Sequence, residues 1–119
     1  MPQITVDYSE QLADGFDRRG FALALHPLLA DVAGAAPEAC KTRFVRTEEC
    51  VVGDGAGSDG IVHVMIGLLA GRSAETKARV TEGALELVRQ YVKPADGLRL
   101  HASAEIRDLD ASYRKSAEA

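Results

Sequence analysis

Pro2 is the first residue that could do chemistry, because it directly follows the initiator Met1. Methionine is normally trimmed when the next residue is as compact as proline. That leaves a chain terminus with a secondary amine in place of an amide. Such an amine serves as a general base once its pKa falls from the α-amino value of about 8 towards neutrality. Apolar surroundings and nearby cations both push it that way, since each disfavours the protonated form. The plain alternative is a proline that only starts a strand, where it removes one ladder donor and tolerates extended backbone.

Arginine and lysine offer the complementary chemistry, anion recognition. In "AGRSAE" (Ala70–Glu75) an arginine stands just before Ser73, a good helix N-cap. A cation opposes the dipole at a helix start, so Arg72 is better explained if an anion binds there, held by guanidinium and backbone N–H together. A solvated surface arginine is the alternative. In "CKTRF" (Cys40–Phe44), Lys41 and Arg43 alternate along an apparent strand and so share one face. Two cations together suggest carboxylate recognition, or a charged edge that discourages strand pairing.

The remaining candidates are weaker. His26, His63 and His101 have no metal-ligand spacing, assemble no Ser/His/Asp set and are expected to be hydrogen-bonded structural residues. Cys40 and Cys50 fall ten residues apart in one expected strand, so they cannot easily meet and read as reduced, partly buried thiols. "GDGAGSDG" (Gly53–Gly60) lacks the lysine ending and following helix of a phosphate cradle, and reads as a loop. No metal or cofactor motif is present. A net charge of −4 argues against nucleic acid, whose binding draws on a basic surface. No stretch is apolar enough to be a signal peptide or membrane span, so the expected location is the cytoplasm.

These residues need positioning, and the periodicity supplies the elements. At 119 residues the chain is expected to form one domain, small for an enzyme that must wall off a pocket alone. Apolar residues at Phe21, Leu25, Leu28, Leu29 and Val32 predict an amphipathic helix over Asp17–Ala33, and those at Val80, Ala84, Leu87, Val88 and Tyr91 a second over Ala74–Lys93. The two sets are offset by a constant fifty-nine positions, the echo of a repeat. Pro27 should kink the first helix or start a new turn. Strands are predicted at Gln3–Tyr8, Lys41–Val52, Ile61–Leu69 and Leu98–Arg107. The third is apolar at nearly every position, so it should be central and covered on both sides. The result is an α+β fold of two βαβ halves, about 2–52 and 61–107, plus a polar tail at 108–119. Both helices lie on one face of a four-stranded sheet. The other face would be bare in a monomer, and oligomerisation would cover it.

Met-Pro at the start, "VDYS" ending the first strand, "HPLL", "KTR", "AGRSAE" and "SYRK" occur in that order over essentially the whole chain. This pattern resembles the 5-carboxymethyl-2-hydroxymuconate isomerase branch of the tautomerase superfamily. The resemblance implies a cofactor-independent isomerase of homoprotocatechuate degradation, built as a homotrimer of βαβ-repeat subunits around a central barrel. It implies that Pro2 shuttles a proton between carbons of an unsaturated 2-hydroxy acid, with Arg72 in the family's G-R-S element. The first and second arginines of an I-R-x-R element fall on Lys41 and Arg43, and the isoleucine on Cys40. Lysine offers a point charge where arginine offers a bidentate fork, so substrate grip at Lys41 differs from the family pattern. The tail carrying "SYRK" is expected on an adjacent subunit. Readings left open are a different enolisable acid and a non-catalytic trimer that binds a small carboxylate.

Overall fold

A computed structural model describes residues 1–119. Strand β1 (Gln3–Ser9) leads through a short 3-10 turn into helix α1 (Arg18–Ala33), and β2 (Lys41–Thr47) follows. The second half repeats this order with β3 (Asp59–Leu68), α2 (Ala74–Tyr91) and β4 (Arg99–Asp108). The sheet runs β2-β1-β3-β4. Within each half the strands are parallel, and β1 meets β3 antiparallel at the centre. A parallel pair needs a crossover, and the helices provide it.

Both helices cover one face. Ile4, Val6 and Tyr8 of β1 and Val62, Val64, Ile66 and Leu68 of β3 are buried in one core with Phe21, Leu25 and Leu29 of α1 and Val80, Ala84 and Val88 of α2. The three buried positions of each helix keep the fifty-nine-residue offset. Phe16 packs edge-on to Tyr8, Phe21 and Phe44 at ring separations of 5.4–6.0 Å, and its backbone bridges to Val92 of the second half.

The opposite face is open. Gln3, Thr5 and Asp7 alternate with the buried set of β1 and are only half-buried, as are Ile61, His63 and Met65 of β3. The central strand is therefore covered on the helix side alone, not on both sides. Its apolar run reflects one dry face plus Ile61 and Met65 on the open one.

Local departures from the periodicity each have a cause. β2 stops at Thr47 instead of Val52 because it is an edge strand whose only partner, β1, ends at Ser9 opposite Thr47. Cys40 and Cys50 consequently flank the strand instead of sharing it. Helix α2 stops at Tyr91 instead of Lys93 because Val92 bridges to Phe16 and Lys93 donates to the Gly15 carbonyl at 2.8 Å. Asp59 and Gly60 belong to β3, not to the loop before it. Helix α1 runs unbroken through Pro27, which is exposed, so the carbonyl that loses its donor is on the solvent side.

Candidate active site at the chain start

Strand direction gathers the site. β1 and β2 are parallel, so their first residues are neighbours, and the Lys41 N–H donates to the Pro2 carbonyl at 3.1 Å. β3 runs antiparallel to β1 and ends beside Gln3, delivering the turn that holds Arg72 to the same end. Gly71 makes that turn at φ 123, a conformation that side chains disfavour. β4 parallels β3, so the tail also leaves here, with the Leu109 N–H donating to Leu68 at 2.7 Å.

Pro2 is buried, and in this chain its nitrogen is an amide bonded to Met1. The free amine is that of Met1, which donates to the Ala39 carbonyl at 3.2 Å. Its pKa is lowered from 8.0, first by burial and then by the positive charges of Lys115 and Lys41, with a smaller contribution from Arg72 and an opposing one from Cys40. Each cation raises the cost of adding another proton.

Arg72 is half-buried and partly committed. Its Nε donates to Ala33 at 3.1 Å and its Nη1 to Leu69 at 3.0 Å, while Nη2 makes no protein hydrogen bond. Ala33 is the last residue of α1, so the guanidinium sits at the negative end of that helix dipole. That contact accounts for a cation which, in sequence, only opposes the dipole of α2. Ser73 caps α2 independently by accepting from the Thr76 N–H at 3.1 Å.

Lys41 is exposed and donates to Ala39 at 3.0 Å. Arg43 lies one step further along the same face, where its Nη2 donates to Gln3 at 2.7 Å. The Gln3 amide in turn donates to the Tyr113 hydroxyl at 3.0 Å. The tail thus folds back onto its own sheet through Tyr113. A cavity of about 400 Å³ lies beneath it, lined by Glu38, Lys41 and Lys115 among others. Lys115 was visible in the sequence only as the last letter of "SYRK"; nothing there showed its approach to the chain start. Cys40 is buried, which raises its thiol pKa and leaves it protonated at neutral pH, a poor nucleophile.

The histidines are hydrogen-bonded, as expected. His26 Nε2 lies 2.8 Å from Thr42 Oγ1, and His101 Nε2 lies 2.7 Å from Asp59. His63 does more than the sequence indicated: across β3 and β4 it joins Ser103 at 2.6 Å and Glu105 at 2.8 Å. This Ser–His–Glu set lies on the flat open face and lines no cavity. The largest cavity, about 620 Å³, is elsewhere, between the start of α1 and β2. Several of its polar groups are already engaged, His26 with Thr42 among them. Asp17 caps α1 by accepting from Gly20, and Arg18 packs 5.3 Å from the centre of the Tyr8 ring. The chain start, with its partly buried amine and gathered cations, is the better candidate for chemistry.

The family model described as 5-carboxymethyl-2-hydroxymuconate isomerase matches residues 2–118. No curated protein matches the chain in sequence. Among solved structures, a 5-carboxymethyl-2-hydroxymuconate isomerase from Deinococcus radiodurans R1 superposes with a TM-score of 0.68 at 23% identity, over 98% of this chain and 90% of that one. A 5-carboxymethyl-2-hydroxymuconate delta-isomerase gives 0.69 at 17%, covering 99% and 89%. A fused 4-OT symmetric trimer gives 0.71 at 17%, covering 96% and 90%. At these identities the structural likeness speaks for the fold.

Proposed function

The chain belongs to the 5-carboxymethyl-2-hydroxymuconate isomerase family, and from that premise we propose that it moves a proton between carbons of an unsaturated 2-hydroxy acid, using Pro2 as the base. 5-Carboxymethyl-2-hydroxymuconate is the first substrate to try. In the methionine-free chain the neutral Pro2 amine takes a proton from the carbon next to a conjugated carbonyl. Arg72, with Lys41 or Arg43, holds the substrate carboxylates and stabilises the dienolate as charge develops. The protonated amine then returns the proton at a different carbon, and the double bond shifts. Proton and charge balance within this cycle, so no cofactor is required.

The observation that carries this reading is the electrostatics of the chain-start amine, which burial, Lys115, Lys41 and Arg72 all push towards its neutral form. The Met1 ammonium marks the environment that the Pro2 nitrogen adjoins, one residue along. The working form we propose is a cytoplasmic homotrimer. The open sheet face, with Ile61 and Met65 half-buried and Val45 exposed, supports such an assembly, as does the likeness to a symmetric trimer.

A second reading applies if Met1 is retained. With Met1 retained, the Pro2 nitrogen is an amide without basic character, and the gathered cations would serve a non-catalytic carboxylate-binding protein. An ultraviolet assay of methionine-free protein on 5-carboxymethyl-2-hydroxymuconate decides between them. Turnover that falls by several orders of magnitude in Pro2→Ala supports proton shuttling. Full activity in Pro2→Ala would rule it out, and turnover of only another enolisable acid would keep the mechanism and change the substrate.

A further inference from the structure

We infer that Lys115, carried to the chain start by the C-terminal tail, is a carboxylate-reading residue that makes the site prefer acids with several carboxylates over monocarboxylates. This rests on the reading of the chain start as an acid-binding site, and it assigns a residue that the motifs of the chain leave without a role.

Three observations carry it. First, the tail is fastened: Leu109 is bonded to the end of β3 at 2.7 Å, and Tyr113 to Gln3 at 3.0 Å. Lys115 follows two residues later, so its approach is set by two anchors. Second, Lys115 and Lys41 line the same cavity of about 400 Å³, and neither ammonium has an ion-pair partner in the protein. Glu38 also lines that cavity yet pairs with neither lysine. Third, the arrangement is otherwise unfavourable. Lys115, Lys41, Arg72 and the terminal amine gather at one end of the sheet, where Glu38 is exposed and pairs with neither lysine, the Cys40 thiol is protonated, and Asp108 is taken up by Lys77. Like charges held together without a paired counter-charge repel one another. A polyanionic ligand relieves that repulsion, and a monocarboxylate meets only part of it.

The geometry also divides the work. Arg72 is braced against backbone carbonyls and Arg43 against Gln3, so both are held in direction. Lys115 ends a flexible stem and offers a point charge, suited to a carboxylate on a branch of the substrate.

The test needs no turnover. Calorimetry on the methionine-free chain would measure tricarballylate, glutarate and butyrate, saturated acids with three, two and one carboxylates. The expected affinity order is tricarballylate, then glutarate, then butyrate. Lys115→Met should weaken tricarballylate about five-fold, the scale of one partly screened ion pair. It should leave butyrate unchanged, and Lys115→Arg should restore most of the loss. Equal affinity of Lys115→Met and wild type for tricarballylate overturns the inference. So does an equal loss for all three acids, which would mark a merely structural tail, and so does no binding of any acid by the wild type. Isomerase activity that depends on Pro2, together with acid selectivity indifferent to Lys115, would sink this inference alone. Selectivity that depends on Lys115, in a protein without turnover, would leave it standing and remove the catalytic reading.

Discussion

Replacing Arg72 with alanine should cost both stability and substrate handling, and the structure lets the two be separated. The guanidinium donates to Ala33 at the end of α1 and to Leu69 after β3, tying the two halves of the fold together. Hydrogen bonds from a charged donor contribute about 1.5–3 kcal/mol when well shielded. Arg72 is only half-buried, and water can reach the freed carbonyls, so we discount the pair to about 1.5 kcal/mol in total. For a domain of this size that lowers the thermal midpoint by roughly 6 °C. The remaining nitrogen, Nη2, is free for substrate, so kcat/KM should fall by more than unfolding explains at temperatures where the variant is fully native. Arg72→Lys is the informative control. One ammonium cannot span both carbonyls and a ligand, so it should recover part of the stability and little of the activity. Thermal denaturation followed by circular dichroism, paired with the ultraviolet assay at 25 °C, reads both quantities. An Arg72→Ala protein with an unchanged midpoint would refute the bracing role, and unchanged kcat/KM would refute the proposed substrate contact.

Other consequences can be checked directly. Burial lowers the pKa of His26 below 6.5, so the folded state binds fewer protons there than the unfolded chain. The resulting stability is complete above the unfolded value and is lost as pH falls through the lower folded value; His26→Gln should flatten that acid-side decline in the thermal midpoint. Gly15→Ala should destabilise by about 2 kcal/mol or more, because a Cβ there collides with the Lys93 backbone carbonyl where the two segments hydrogen-bond; urea denaturation would show it, and a neutral result would contradict the packing. Cys40 is buried with its thiol pKa raised, whereas Cys50 is half-exposed; iodoacetamide in native buffer should label Cys50 first, as peptide mass mapping would reveal.

What the sequence determined by itself is the set of elements and their faces. The spacing from Phe21 to Leu29 and from Val80 to Val88 specifies the buried stripes of both helices, because helical repeat and hydrophobic burial are local properties of the chain. Ser73 and Pro2 likewise mark where elements start. Element ends were less legible. β2 ends at Thr47 because β1 offers no partner beyond Ser9, and α2 ends at Tyr91 because Phe16 captures Val92. Those limits belong to pairings between distant segments. The candidate site divides in the same way. Pro2, Lys41, Arg43 and Arg72 are recognisable by residue type and motif, but the directions of β1, β2 and β3 decide that they converge. Arg72's hold on Ala33, Lys115's approach to the amine and the Ser103–His63–Glu105 set join residues far apart in sequence. Periodicity carries no distance between such residues; only the closed sheet and the packed tail set it.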